Sequence, residues 1–211
     1  MPVAYLPNDR LYENGHCVIF ARGISPVELL SRVADFPVVP IPLSRIQAEA
    51  ISVMGEDVDE DLLGNVSAEA LRDSGMFAED GALLRAGTYA DWSFVTEVGG
   101  AFLGSQEILE RVSVGTAALS VSLSINKAAW ISYAELGVTL TSFDPLQPEH
   151  VYGTQPGKLE ELTSYRHAIH TGAREDAYDR ALRVIQERLG CTVPQEMDAD
   201  LLPAIRIAGA Y

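Results

Sequence analysis

Between Tyr89 and Gly104 the chain alternates apolar and polar residues, then passes through two glycine sites. Trp92, Phe94 and Val98 fall on one face and Asp91, Ser93 and Glu97 on the other. A period of two predicts a strand with one face on a core and one near solvent. Gly99-Gly100 then permits a tight turn or bulge that a Cβ would resist. Ser105 is placed to cap a short helix over Gln106–Arg111.

The same pattern recurs downstream. Leu119, Val121, Leu123 and Ile125 alternate with Ser120, Ser122 and Ser124, and Asn126-Lys127 marks a turn. Trp130–Glu135, a Leu136-Gly137 turn and Val138–Phe143 read as a hairpin, with Asp144-Pro145 as its stop. Short turns predict an antiparallel meander, and both Trp92 and Trp130 are expected in the core. Upstream, His16–Phe20 is a buried-strand pattern closed by Gly23. Ser25-Pro26-Val27-Glu28 then carries the start signals of a helix, with Ser25 as N-cap, Pro26 at N1 and Glu28 reaching back as a capping box.

Helical spacing takes over after Tyr152. Leu159, Leu162, Tyr165 and Ile169 share a face over Lys158–His170, and Tyr178, Ala181, Leu182, Ile185 and Leu189 share one over Asp176–Leu189, with Gly190 placed to end the helix. Met197–Tyr211 reads as a further short helix with an apolar finish. The expected fold is α+β: a single domain over 1–211, with a strand-helix-sheet core at 17–150 and a C-terminal helical segment at 154–211. Its antiparallel sheet has about five strands, with the early helix and the C-terminal pair packed on it.

An acidic insert at 44–86 interrupts the core. It holds ten carboxylates against three arginines, with short helices expected over Leu43–Val53 and Ser67–Ser74, and it reads as a surface excursion. Over the whole chain of 211 residues the formal charge is -15 and the pI is near 4.5. Such a field repels phosphate backbones and anionic membranes, so direct nucleic-acid and membrane binding are not expected. It attracts a basic protein. Solubility alone is the bland reading of the same charge. The N-terminal residues lack a basic and apolar leader pattern, and Cys17 and Cys191 are read as reduced thiols, so a cytoplasmic location is expected.

Together these residues resemble an uncharacterised bacterial family known only as a domain of unknown function. The similarity lies in Val18–Glu28, in Trp92 with Glu97 before Gly99-Gly100, and in Phe102-Leu103-Gly104. It continues through Leu109–Gly115, Ser120-Val121-Ser122, Tyr133–Gly137 and Phe143-Asp144-Pro145, spanning Cys17 to Leu189. The resemblance implies helices packed on an antiparallel sheet and no particular activity. The insert at 44–86 is longer than usual for such proteins.

Candidate chemistry is sparse. His167 and His170 lie at i and i+3 in the last turn of a helix, where histidine suits the dipole without any metal. His16 and Cys17 are adjacent on a strand, so they point to opposite faces and do not pair as base and nucleophile. Asp57-Val-Asp-Glu-Asp61 opens like a calcium loop, but Leu62 and Ala68 stand where glycine and a bidentate glutamate are required. Gly153–Lys158 is one residue short of a phosphate loop and reads as a turn into a helix. Neither a cofactor nor a metal is expected. Asp91, Ser93, Glu97, Glu135 and Asp144 remain as polar residues of the sheet, and Asp57, Asp59, Glu60 and Asp61 as an acidic patch. Two readings follow. One is a non-catalytic, acidic protein-binding module of immunity or inhibitor type for a basic partner. The alternative is an enzyme or small-ligand binder with a polar cleft near Asp91, Trp92 and Glu97, where paired carboxylates could do acid–base work.

Overall fold

The computed structural model describes residues 15–98, 102–126 and 128–209. Its organising strand is β1 (His16–Arg22), in which every residue from His16 to Ala21 is buried. A run without alternation is what a strand needs when both its faces are covered. Val18 and Phe20 enter one core, while Cys17, Ile19 and Ala21 enter another on the opposite face.

The remaining strands are β2 (Ile41–Leu43), β3 (Ala82–Tyr89), β4 (Trp92–Glu97), β5 (Ala117–Leu123), β6 (Ala129–Glu135), β7 (Val138–Phe143), β8 (Val151–Tyr152) and β9 (Leu202–Ile207). They join β1 in one antiparallel sheet with the order β2-β9-β3-β4-β1-β5-β6-β7-β8. The predicted meander is present as β5, β6 and β7, and Leu136 (φ 53°) with Gly137 (φ 82°) makes the tight turn between the last two. The sheet has nine strands, not about five. Three of the additions escaped because β2 and β8 are very short and β9 carries Pro203 in its register. Residues 82–86, assigned to the acidic insert, are the first half of β3, and the segment read as a last short helix contains β9 instead.

Three sets of helices cover this sheet. Helix α1 (Pro26–Ala34) and helix α5 (Gln106–Val112) pack on the face of Ile19, Val95 and Ala118. Ser25 accepts from the Glu28 amide as predicted, but Glu28 pairs with Arg32 at 2.7 Å, and no side-chain cap bond is made by Ser105. Arg32 donates to the Val112 carbonyl at the end of α5, and Arg111 donates to the Arg32 and Val33 carbonyls at the end of α1. Each helix thus satisfies carbonyls that its neighbour's last turn leaves open.

The other face is covered by α6 (Lys158–Thr163), α7 (Tyr165–His170) and α8 (Ala177–Leu189). The expected single helix over 158–170 is two, divided at Ser164 in left-handed conformation (φ 57°). The insert forms α2 (Arg45–Met54), α3 (Glu60–Leu63) and α4 (Ala68–Asp73). Far from standing off the sheet, it packs Ala48, Ile51, Leu63, Leu71 and Met76 against Leu43, Leu83 and Ala204 of the β2-β9-β3 end. Gly99-Gly100 and Lys127, read as turn positions, lie outside the described residues.

Candidate functional site

Trp92 and Phe94 of β4 point into the core as expected, and Trp92 Nε1 donates to the Leu189 carbonyl at 2.9 Å. The opposite face of the strand is not near solvent. Ser93 and Glu97 are 1% and 3% exposed, because α1 and the Phe102–Gly104 turn cover them. Ser93 Oγ donates to the Ile24 carbonyl and lies 3.1 Å from Thr88 Oγ1. Glu97 accepts from the Phe102 amide (3.1 Å, Oε1) and the Leu103 amide (3.0 Å, Oε2). Both carboxylate oxygens therefore fix the backbone where the chain re-enters after the glycine pair. The alternation correctly separated the two faces, but a central strand has no solvent face.

The remaining carboxylates do not gather. Asp91 precedes β4 and lies 3.7 Å from Arg22 in an exposed pair. Glu97 ends the same strand, so the two are about 20 Å apart at ~3.3 Å per residue. Glu135 accepts from the Tyr133 hydroxyl at 2.6 Å and lies 3.7 Å from Lys158. Asp144 accepts from the Leu146 amide in a turn just beyond β7. Register places Asp91 and Glu135 at one end of the sheet, with β1 and β5 between them, and Glu97 at the other end.

The other candidates also have structural places. His16 faces Tyr178, whose hydroxyl lies 2.8 Å from Nε2, while Cys17 sits in the opposite core. Burial, with a smaller contribution from Glu97, pushes the Cys17 thiol up to about 12, and burial does the same for Cys191. Protonated thiols of that kind are poor nucleophiles and poor ligands. Both cysteines are free. His167 and His170 are exposed, and no group of three or more metal-ligating side chains occurs among the described residues. The Gly153–Lys158 segment is a turn held to β7, with Gln155 donating to the Leu140 carbonyl at 2.9 Å, and it leads into α6. Trp130 is not core: it is 42% exposed on the uncovered margin of the sheet, stacked with Tyr152.

Sequence reasoning missed a buried ionic junction between the insert and the C-terminal segment. Arg85 of β3 is 4% exposed and donates to the carbonyls of Leu43, Met197 and Asp200. Burial pulls its guanidinium down to about 10, with Asp198 opposing the shift and Arg45 adding to it. Arg45 pairs with Glu49 and lies 3.1 Å from Asp198. The signal available in the sequence was a single cation inside the apolar run Ala82–Gly87, since arginine is rarely fully buried without partners. A cleft of about 30 Å³ lies among Arg45, Glu49, Arg85, Thr96, Glu97 and Asp198. It has room for a water or two, well below the volume of an ordinary metabolite site.

The acidic patch is placed differently. Asp57, Asp59, Glu60 and Asp61 are exposed, together with Glu56, Glu69, Asp73, Glu79 and Asp80. Of the three arginines in the insert, Arg85 is buried, Arg45 is enclosed by its ion pairs, and Arg72 alone is exposed. Nine exposed carboxylates thus face solvent around one exposed cation.

The fold and its polar groups define an α+β protein with one large antiparallel sheet, in which buried Arg85, Ser93 and Glu97 hold backbone. The chain belongs to a family of unknown function, DUF6461, whose profile matches residues 7–180. No curated protein and no solved structure matches it. No helix among the described residues is long and apolar enough to cross a membrane.

Proposed function

We propose that this chain is a non-catalytic protein-binding module whose acidic insert takes a basic protein partner. An immunity- or inhibitor-type role toward a nucleic-acid-directed toxin is one concrete version. The carrying observation is the charge of the insert surface: nine exposed carboxylates with Arg72 as the one exposed cation. Fields of that kind steer a cationic partner and raise its association rate in a salt-dependent way. The reading draws further support from the polar residues of the sheet. Ser93 and Glu97 are committed to backbone, and Asp91 lies far from Glu97 along the strand, so Asp91 and Glu97 do not form a carboxylate pair beside Trp92.

The test is retention of proteins from the native host on immobilised chain at ~0.1 M and ~1 M salt, where the screening length falls from about 10 to 3 Å. The expected result is a basic protein held at low salt, lost at high salt, and lost when Glu56, Asp57, Asp59, Glu60 and Asp61 are changed to their amides. Recovery of no basic protein, or of one indifferent both to salt and to those changes, overturns the reading.

A further inference from the structure

Resting on that reading, we infer that the partner presents a cationic amphipathic helix, and that this helix lies along the outer face of α2. Helix α2 buries Ala48 and Ile51 on its inner side. On the opposite side Ile46 and Val53, seven residues apart, are 61% and 84% exposed. Two turns separate them, so they stand one above the other along about 10 Å of helix. Met54 beside them and Leu62 on α3 are each 42% exposed. A helix that served only as a surface layer would carry polar residues there.

Electrostatics at the same corner break a second local preference. The C-terminal end of a helix is its negative pole and favours cations. The last turn of α2 holds no basic residue, and Glu56 and Asp57 follow directly after Gly55. Asp59, Glu60 and Asp61 come next, all exposed, and Arg72 lies 3.3 Å from Glu56. The uncovered apolar pair and the shortfall of positive charge, with Arg72 against five carboxylates, fall at one place. Coincident breaches of local preference are the mark of a surface built for something other than stability.

Those two deficits select the occupant. An i, i+4, i+7 stripe on a helix matches a straight ridge such as Ile46–Val53, and a flanking row of lysines or arginines answers the carboxylates. A flexible basic tail would meet the charge and leave the ridge in water. A second copy of this chain, or an anionic lipid surface, would bring like charge to a corner that is already negative.

The probe is a synthetic peptide of about 18 residues with leucines on one helical face and lysines on the other, compared with a scrambled peptide of identical composition. Binding is measured by fluorescence anisotropy at ~0.1 M salt. The amphipathic peptide is expected to bind at least about tenfold tighter than the scrambled one, the scale of one buried apolar side chain. The double variant Ile46→Ser, Val53→Ser, whose sites are solvent-facing and whose melting temperature should be unchanged, is expected to erase that preference while leaving the weak, salt-sensitive binding of the scrambled peptide intact. If both peptides bind alike and the double variant changes neither, the helix inference falls and the acidic reading stands. If neither peptide binds even at low salt, both fall.

Discussion

Removing the Glu97 side chain should loosen the protein far more than its position on a strand would imply. Its two oxygens accept from the Phe102 and Leu103 amides at 3.1 and 3.0 Å, and the residue is 3% exposed. A hydrogen bond to a carboxylate contributes about 1.5 kcal/mol or more, and a buried amide left without a partner costs a similar amount. Glu97→Ala should therefore cost about 3 kcal/mol, which for a domain of this size lowers the melting temperature by about 6–12 °C. Glu97→Gln should fall between that variant and the parent, because its amide oxygen keeps one acceptor while its NH₂ group meets a donor. Calorimetry measures both. A second readout is the Cys17 thiol, which burial raises first and the Glu97 carboxylate second. Glu97→Gln should lower its titration midpoint and speed alkylation near pH 10. A melting temperature for Glu97→Ala within about 2 °C of the parent would refute the assignment of this carboxylate to the backbone.

Three further outcomes are expected. Gly87→Ala places a Cβ 2.5 Å from Phe94 Cζ, in a core where that ring is 1% exposed, so overpacking should cost about 1–3 kcal/mol by urea unfolding. Arg85→Met keeps the aliphatic stem but strands the carbonyls of Leu43, Met197 and Asp200, which should cost about 3 kcal/mol; a loss below about 1 kcal/mol would show that these contacts hold little. Both thiols titrate at about 12 when folded against 9.0 when unperturbed, so between those values the unfolded chain binds fewer protons than the native one. Stability is then unaffected by the thiols below pH 9 and falls above it, by at most about 1.4 kcal/mol per pH unit for each. The double variant Cys17→Ala, Cys191→Ala should flatten that decline in pH-dependent unfolding, and an unchanged slope would contradict the burial of the thiols.

What the sequence made legible was set by distance along the chain. The β5–β7 meander, α1 with its Ser25 cap and the Gly190 end of α8 all depend on contacts between near neighbours, where periodicity and turn chemistry act directly. Strand β9 depends on β3, more than a hundred residues earlier, and its Leu-Pro-Ala-Ile-Arg-Ile sequence offers no alternation until Ala82–Tyr89 is known to lie beside it. The error at Ser93 and Glu97 has the same root. Alternation reports that two faces differ, not what covers each one. The cover comes from α1 and from the Phe102–Gly104 turn, elements whose packing no local pattern encodes. Arg85 shows the converse. A cation in an apolar run is legible as an anomaly, yet its partners are backbone carbonyls on three separate segments, and no side-chain motif announces those. The acidic insert was the most visible feature for the opposite reason, since exposed charge needs no partner to be read. Its helices turned out to contribute a core cluster as well, so the same segment anchors the β2-β9-β3 end of the sheet with one side and presents its carboxylates with the other. That division allows the exposed face to change its charge or its apolar stripe with little effect on the fold beneath it.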